Sequence, residues 1–199
     1  RTLRVAEAGY DMIGVDLSSE MLCVVREKAA EAKIENLLLL NQDITQLDLL
    51  GTVRGVVSTF DTFNHISPKL LQTAICRAAL FLEKGGIFLF DMNTPYKHEA
   101  VLSNHTFEIE ADDAVCVWKN SYDAENKCTQ IEIAVTYEDG EKFVESFYEY
   151  AYSREQIEAI CDAAGLKIIS VCDGETFSAL HADSQRFLFT AVKLYNAKE

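Results

Sequence analysis

Three apolar runs in this chain end in a carboxylate. Met12, Ile13 and Val15 lead to Asp16, Leu37 to Leu40 lead through Asn41-Gln42 to Asp43, and Ile87 to Phe90 lead to Asp91. Continuous apolar runs suit strands of a parallel sheet covered on both faces. An acid at the C-terminal edge of such a strand stands where open α/β sheets bind ligands, and Asp16 there can accept both hydroxyls of a ribose. Capping of the helix that begins near Ser18 accounts for Asp16 equally well. Asp43 repeats the position one strand further out, and a turn or cap acid is its plainer account. A further polar group, Phe60-Asp61-Thr62-Phe63-Asn64-His65, follows the run Gly55 to Thr59. The ordinary pKa of His65 lies near neutrality, which suits a general base, while capping or packing in a loop accounts for it as well. Asn93 and Tyr96 follow the strand that ends at Asp91. Aromatic Trp118, Tyr148 and Tyr150 can wall a pocket, and such faces favour amine cations; their alternating spacing fits a sheet core equally. The four histidines (His65, His98, His105, His181) lack local ligand spacing, so no metal site is expected.

These residues need elements to hold them. Ser18 to about Ala32 reads as an amphipathic helix, with Met21, Cys23, Val24, Val25, Ala29 and Ala32 inward and Glu20, Arg26, Glu27 and Glu31 outward. Ser67 and Pro68 start a second helix that runs to about Leu82 and buries Leu71, Ala74, Ile75, Ala78 and Leu82. Leu82-Glu83-Lys84-Gly85-Gly86 then closes it. Strands and helices alternating in this rhythm predict a parallel sheet with helices on both faces. Between about His105 and Tyr152 the period changes to two. Ile131, Ile133, Val135 and Tyr137 alternate with polar neighbours, and turn signals fall at Asp123 to Lys127 and at Asp139-Gly140. Residues 104–152 therefore read as an antiparallel meander inserted into an α/β chain, a lid or partner surface. Ser153-Arg154-Glu155-Gln156 is a capping box for a helix burying Ile157, Ile160, Cys161 and Ala164 and ended by Gly165. Leu166 to Val171 and Phe187 to Val192 make the closing pair of strands.

The 199 residues suit one domain, and 49% hydrophobic with 25% charged residues is ordinary globular composition. A net charge of −14 repels phosphate backbones and anionic lipid surfaces, so nucleic acid and membrane are not expected partners. The six cysteines lack any CxxC or Cys/His ligand spacing. They read as small buried hydrophobes in a reducing, cytoplasmic setting. No apolar run approaches the ~18 residues of a membrane span, and no signal peptide is read ahead of the fold. Arg1 to Ala8 reads as the last two turns of a helix capped by Gly9, so the chain is expected to begin within a domain.

With its motifs assembled, the chain resembles class I S-adenosylmethionine-dependent methyltransferases of the small-molecule type. AEAGYDMIGVDLSSEML, the polar strand end Gln42-Asp43-Ile44, and Leu82-Glu83-Lys84-Gly85-Gly86 followed by Ile87 to Asp91 carry the likeness. The resemblance implies a Rossmann-like, seven-stranded, three-layer αβα sheet with an antiparallel final strand. It implies that S-adenosyl-L-methionine is the cofactor, with Asp16 on the ribose, Leu17 and Met21 near the adenine, and Asp43 with the backbone of Ile44 reading the adenine edge. Phe60 and Asp61 would lie beside the methionine part. Asn64 and His65 would follow where the family places polar contacts to the acceptor; beside this, the residues themselves read Asn93, Tyr96 and Trp118 as further acceptor contacts and His65 as its base. The family's glycine-rich loop would lie ahead of Arg1. The expected activity is methyl transfer to a small molecule, with a homodimer as the partner state open to it. Two other readings stand beside this one: a non-catalytic methyltransferase-like binding domain, and a nicotinamide-dependent oxidoreductase, because an acid after the second strand also serves NAD.

Overall fold

The computed structural model describes residues 2–195, and Arg1, the first residue of the helix read from the sequence, lies outside them. The chain divides into two compact units, residues 1–50 and residues 51–199.

In the first unit, helix α1 (Thr2–Glu7) precedes strand β1 (Met12–Asp16), helix α2 (Ser19–Glu31) and strand β2 (Leu37–Asn41). β1 and β2 pair in parallel, Met12 opposite Leu37 through Asp16 opposite Asn41. Ser18 caps α2, its Oγ accepting from the Met21 N–H at 3.1 Å. The apolar runs are less buried than a strand covered on both faces requires: Val15 and Leu38 are exposed and their neighbours half-buried. Among the described residues this sheet has two strands, so each has one edge and part of a face open. The inward face of α2 is correspondingly narrow. Leu22 and Ala29 are buried and Val25 half-buried, whereas Met21, Cys23, Val24 and Ala32, expected inside, are exposed. A narrow ribbon covers only the stripe that i, i+3 and i+7 place directly over it.

The second unit begins with β3 (Val53–Ser58), α3 (Pro68–Leu80) and β4 (Leu82–Asn93), and closes with α4 (Arg154–Ala163), β9 (Leu166–Asp173) and β10 (Arg186–Lys193). Its main sheet has the order β3-β4-β10-β9, with β3 and β4 parallel and β10 antiparallel to both neighbours. The described residues thus hold six α/β strands in a two-stranded and a four-stranded sheet, where the resemblance implied seven in one. Helix α3 stops two residues before the expected Leu82, because Leu82 already pairs with Val53. Register then jumps to Gly55 opposite Ile87, so residues between Leu82 and Ile87 bulge out of β4. Gly86 makes this possible: a Cβ there would stand 2.8 Å from the Glu83 carbonyl oxygen and 2.9 Å from that of Arg54. Helices α3 and α4 touch each other and pack onto β4 and β9. The capping box of α4 is formed as read, Ser153 and Gln156 exchanging bonds. Buried Lys193 on β10 turns its ammonium into the end of α3, donating to the carbonyls of Ala79 at 2.6 Å, Leu80 at 3.2 Å and Leu82 at 2.6 Å. Leu80 ends α3, where carbonyls lack partners within the helix; Ala79 also accepts from the Phe81 N–H, and Leu82 opens β4. All six cysteines are free thiols; Cys128 and Cys161 are buried, while Cys23 is exposed, contrary to the reading of a buried hydrophobe.

Between β4 and α4 lies a separate antiparallel sheet of order β5-β6-β7-β8: β5 (Thr106–Ala111), β6 (Ala114–Asp123), β7 (Cys128–Tyr137) and β8 (Lys142–Tyr150). Its turns use the residues read as turn signals. Asp123 accepts from the N–H groups of Glu125 and Asn126, and Gly140 turns at φ +89°. A π-helical turn, Lys97–Leu102, connects β4 to this sheet and packs on β6 and β7.

Candidate functional site

In the first unit, Asp16 stands exposed at the C-terminal end of β1, its Oδ1 accepting from the Ser18 N–H at 2.9 Å. Asn41, opposite it, donates to the carbonyls of Asp16 at 3.0 Å and Leu17 at 2.7 Å, and the Gln42 N–H reaches the Asp16 carbonyl at 3.2 Å. The two strand ends are therefore tied together, with Asp43 just beyond. Asp43 caps a short 3-10 turn, Ile44–Gln46, accepting from the Thr45 N–H and Oγ1 at 2.8 Å each. The capping alternative describes what both acids do to the backbone, and it engages one oxygen of each. Leu17, 72% exposed, and Met21, 57% exposed, flank Asp16 with apolar surface. A carboxylate beside exposed apolar groups fits a nucleoside, whose sugar hydroxyls donate and whose base is a flat ring. On that donor set the residues present fit the adenosine part of S-adenosylmethionine.

The second unit gathers a polar cluster at the C-terminal ends of β3 and β4. Its foundation is aromatic. Phe63, Phe88, Phe90 and Phe189 are fully buried; Phe63 meets Phe88 and Phe90 edge-on at 5.9 and 5.5 Å, and Phe90 stacks on Phe189 at 4.9 Å. Phe63 thereby pins the 3-10 turn Thr62–His65 to the sheet. The chain enters that turn through two left-handed residues, Phe60 at φ +64° and Asp61 at φ +50°. Each such residue costs on the order of 1–2 kcal/mol without glycine. Asp91 offsets the cost: its carboxylate accepts from the Phe60 N–H at 3.2 Å and the Asp61 N–H at 2.7 Å. Arg186 of β10 lies 3.3 Å from Asp91 and 3.4 Å from Asp61.

Asn64 and Asn93, both buried, hold the next layer. Asn64 Oδ1 accepts from the Asn93 N–H at 2.8 Å, and Asn64 Nδ2 donates to the carbonyls of Asn93 and Tyr150. Asn93 Nδ2 donates to Asp61 at 2.6 Å and to Glu149 of β8 at 3.0 Å, while its Oδ1 accepts from Lys97 Nζ at 3.0 Å. His65 stands 3.9 Å from Glu149 and 5.3 Å, ring to ring, from Phe147. The meander is thus joined to the strand ends through Asn64, Asn93 and His65. Burial, and then the nearby Asp61 charge, push the Glu149 carboxyl above its ordinary range, against the pull of His65, Asn93 and Lys97. Burial and the Arg186 charge hold the Lys97 ammonium below its ordinary value. Asp61, His65 and Glu149 each bring a ligand-type atom within 4.8 Å of the others, although sequence spacing gave no reason to expect a metal set. The Asn93 amide already bridges the two carboxylates, and Arg186 and Lys97 lie beside them, an arrangement better suited to hydrogen bonding than to a divalent ion.

Of the residues read as facing acceptor or methionine, the structure brings Asp61, Asn64 and Asn93 into one bonded network, with His65 beside it, 3.9 Å from Glu149, and Phe60 62% exposed at its rim. Tyr96 is exposed just ahead of the π-helical turn. Trp118 is half-buried on β6 and donates to Asn120 at 2.8 Å, outside that network. Glu149, Lys97 and Arg186 belong to it and were not singled out from the sequence. A signal for Glu149 exists: the period of two puts it on the face of Phe147, opposite exposed Tyr148.

Alternating strands and helices, an antiparallel closing strand and an acid-tipped β1 define the Rossmann-like fold of class I S-adenosylmethionine-dependent methyltransferases. A family model described as "Methyltransferase domain" matches residues 1–86. YqeM of Bacillus subtilis, described as a methyltransferase, is 26% identical over 200 residues, with 96% of this chain and 79% of that protein covered. The crystal structure of an S-adenosylmethionine-dependent methyltransferase from Clostridium acetobutylicum superposes with a TM-score of 0.84 at 26% identity, covering 92% of this chain and 75% of that one. The CcbJ methyltransferase of Streptomyces caelestis shares the fold, with a TM-score of 0.85 at 20% identity over 98% of this chain and 78% of its own. The match over residues 1–86 and these likenesses support an S-adenosylmethionine-dependent methyltransferase. Among the described residues no helix is long and apolar enough to cross a membrane.

Proposed function

We propose that this methyltransferase acts on a small-molecule acceptor held at the strand-end cluster of the second unit, with His65 as the general base. The observation that carries the reading is the position of His65. It is exposed, yet it stands over a buried carboxylate, Glu149, in a network that fixes Asn64 and Asn93. S-adenosylmethionine supplies an electrophilic methyl group on sulfur. The chain's own task is to orient an acceptor, exclude water and take a proton. His65 Nε2 would receive that proton as the acceptor's lone pair forms the new bond to carbon. Asp16 is assigned to the ribose, Leu17 and Met21 to the adenine face, Asp43 and Ile44 to its edge, and Phe60 with Asp61 to the methionine part. Asn64, Asn93, Tyr96 and Trp118 are assigned to the acceptor, with residues 104–152 as its lid. A sugar N-methyltransferase, KedS8 of Streptoalloteichus, has the same fold at a TM-score of 0.66, which supports a small acceptor. The thiol-rich, acidic chain suits the cytoplasm.

Calorimetric titration with S-adenosylhomocysteine tests the cofactor assignment: micromolar binding abolished by Asp16→Ala supports it, and unchanged binding refutes it. Transfer of labelled methyl groups to a metabolite panel tests the base. Turnover by His65→Ala equal to that of the parent would remove His65 from that role.

A further inference from the structure

In an antiparallel sheet, cross-strand partners and every second residue share a face. Pairing in the meander places Glu149 beside Thr129, then Phe147 beside Ile131 and Asn120, then Glu145 beside Ile133, Trp118 and Phe107, then Phe143 beside Val135, Cys116 and Ile109, all on one face. The polar end of this face meets Asn93 and His65. Away from it the face is apolar across β5, β6 and β7, with Phe147 and Phe143 on β8 flanking exposed Glu145, and it becomes progressively open. Ile131 is fully buried, Trp118 half-buried, and Phe107, Ile109 and Phe143 are 41%, 50% and 52% exposed. From Phe147 to Phe143 the strip runs about 14 Å, at ~3.4 Å per residue.

We propose that the acceptor is an amphipathic amine, its ammonium group held by Asp61 and Glu149 beside His65 and its apolar body lying along Phe147, Ile133, Trp118 and Ile109. This rests on the methyltransferase reading above and adds the class of acceptor. Charge supports the head group. Asp61, Asp91 and Glu149 face two cations, Arg186 and Lys97, and both cations are already directed elsewhere, Arg186 onto Asp61 and Asp91 and Lys97 onto the Asn93 carbonyl. One negative charge is left over, and it lies nearest the buried Glu149. An ammonium completes the balance; a carboxylate or phosphate head would worsen it, and a hydroxyl would leave it unchanged. Continuity supports the tail, because the apolar strip begins at the very row that packs on His65.

Trp118 is the chain's single tryptophan and lies within the strip, so its emission reports occupancy directly. The test titrates the full chain with n-octylamine, n-octanol and n-octanoate while following Trp118 fluorescence, and titrates S-adenosylhomocysteine calorimetrically in parallel. Octylamine is expected to give a saturable blue shift about tenfold tighter than octanol or octanoate. Glu149→Gln should erase the preference for the amine. Ile109→Lys, at an exposed position that does not threaten folding, should weaken octylamine by about tenfold through loss of the tail contact. Equal affinity for the three head groups, an unresponsive Trp118, or Ile109→Lys binding like the parent would each overturn the proposal. Cofactor-product binding without an octylamine response would overturn the acceptor class alone. An octylamine response without cofactor-product binding would overturn the methyltransferase reading alone.

Discussion

Acidification should destabilise this protein through one buried histidine. His98 lies at the start of the π-helical turn with no exposed surface; its Nδ1 is 2.8 Å from Thr129 Oγ1, and its Nε2 has no hydrogen-bond partner. A second proton would bring charge into an apolar site. Burial first, and then the neighbouring Lys97 charge, lower its pKa from the ordinary 6.5 to about 4, against a smaller opposing pull from Asp61. Between those values the unfolded chain binds the proton and the folded chain does not. Stability from this site is therefore fully present above about pH 6.5, declines as pH falls, and levels off below about pH 4. At about 1.4 kcal/mol per pH unit the loss totals about 3 kcal/mol, a large share of a typical domain's stability. His98→Asn keeps a polar atom near Nδ1 and removes the titration. Urea unfolding of parent and variant at about pH 7, 5.5 and 4 gives the answer as a difference, in which protonation of the carboxylates cancels. The parent should lose about 3 kcal/mol more than His98→Asn. Parallel losses would refute the argument, because they would mean that His98 is protonated as readily folded as unfolded.

Three other outcomes follow from single contacts. Asp91→Ala removes the carboxylate that accepts from the Phe60 and Asp61 amides at the left-handed entry to the 3-10 turn; a loss of about 2–4 kcal/mol in urea unfolding is expected, with faster hydrogen exchange at the Asp61 amide. Lys193→Met fills the same space but abandons three carbonyls at the junction of α3 and β4, and should lower stability by about 2–4 kcal/mol in thermal melts. Glu149→Gln carries the opposite pH signature to His98. Because the folded carboxyl binds its proton more tightly than the unfolded one, its contribution is present at low pH and lost as pH rises from about 4.5 through its raised value. The variant should therefore gain stability relative to the parent as pH rises, measured by the same unfolding curves.

Sequence alone determined the features that rest on local rules. The Ser18 cap, the Ser153–Gln156 capping box, the turns at Asp123 and Gly140, the period-two meander and the acid-tipped strand at Asp16 all involve residues within a few positions of one another, where spacing and conformational preference decide. The family likeness was legible for the same reason, since its motifs are short. Tertiary structure decided which polar groups meet. Glu149 reaches Asn93 across 56 positions and Arg186 reaches Asp61 across 125, distances over which no periodicity speaks. It also decided burial in the first unit, where a two-stranded ribbon leaves Met21, Cys23 and Val24 uncovered although the helix pattern reads them as inward. The end of β4 shows both at once. Gly85-Gly86 announced a break in the chain, but only pairing with Val53 and Gly55 could make it a bulge within a strand, because register is a property of two segments and is written in neither.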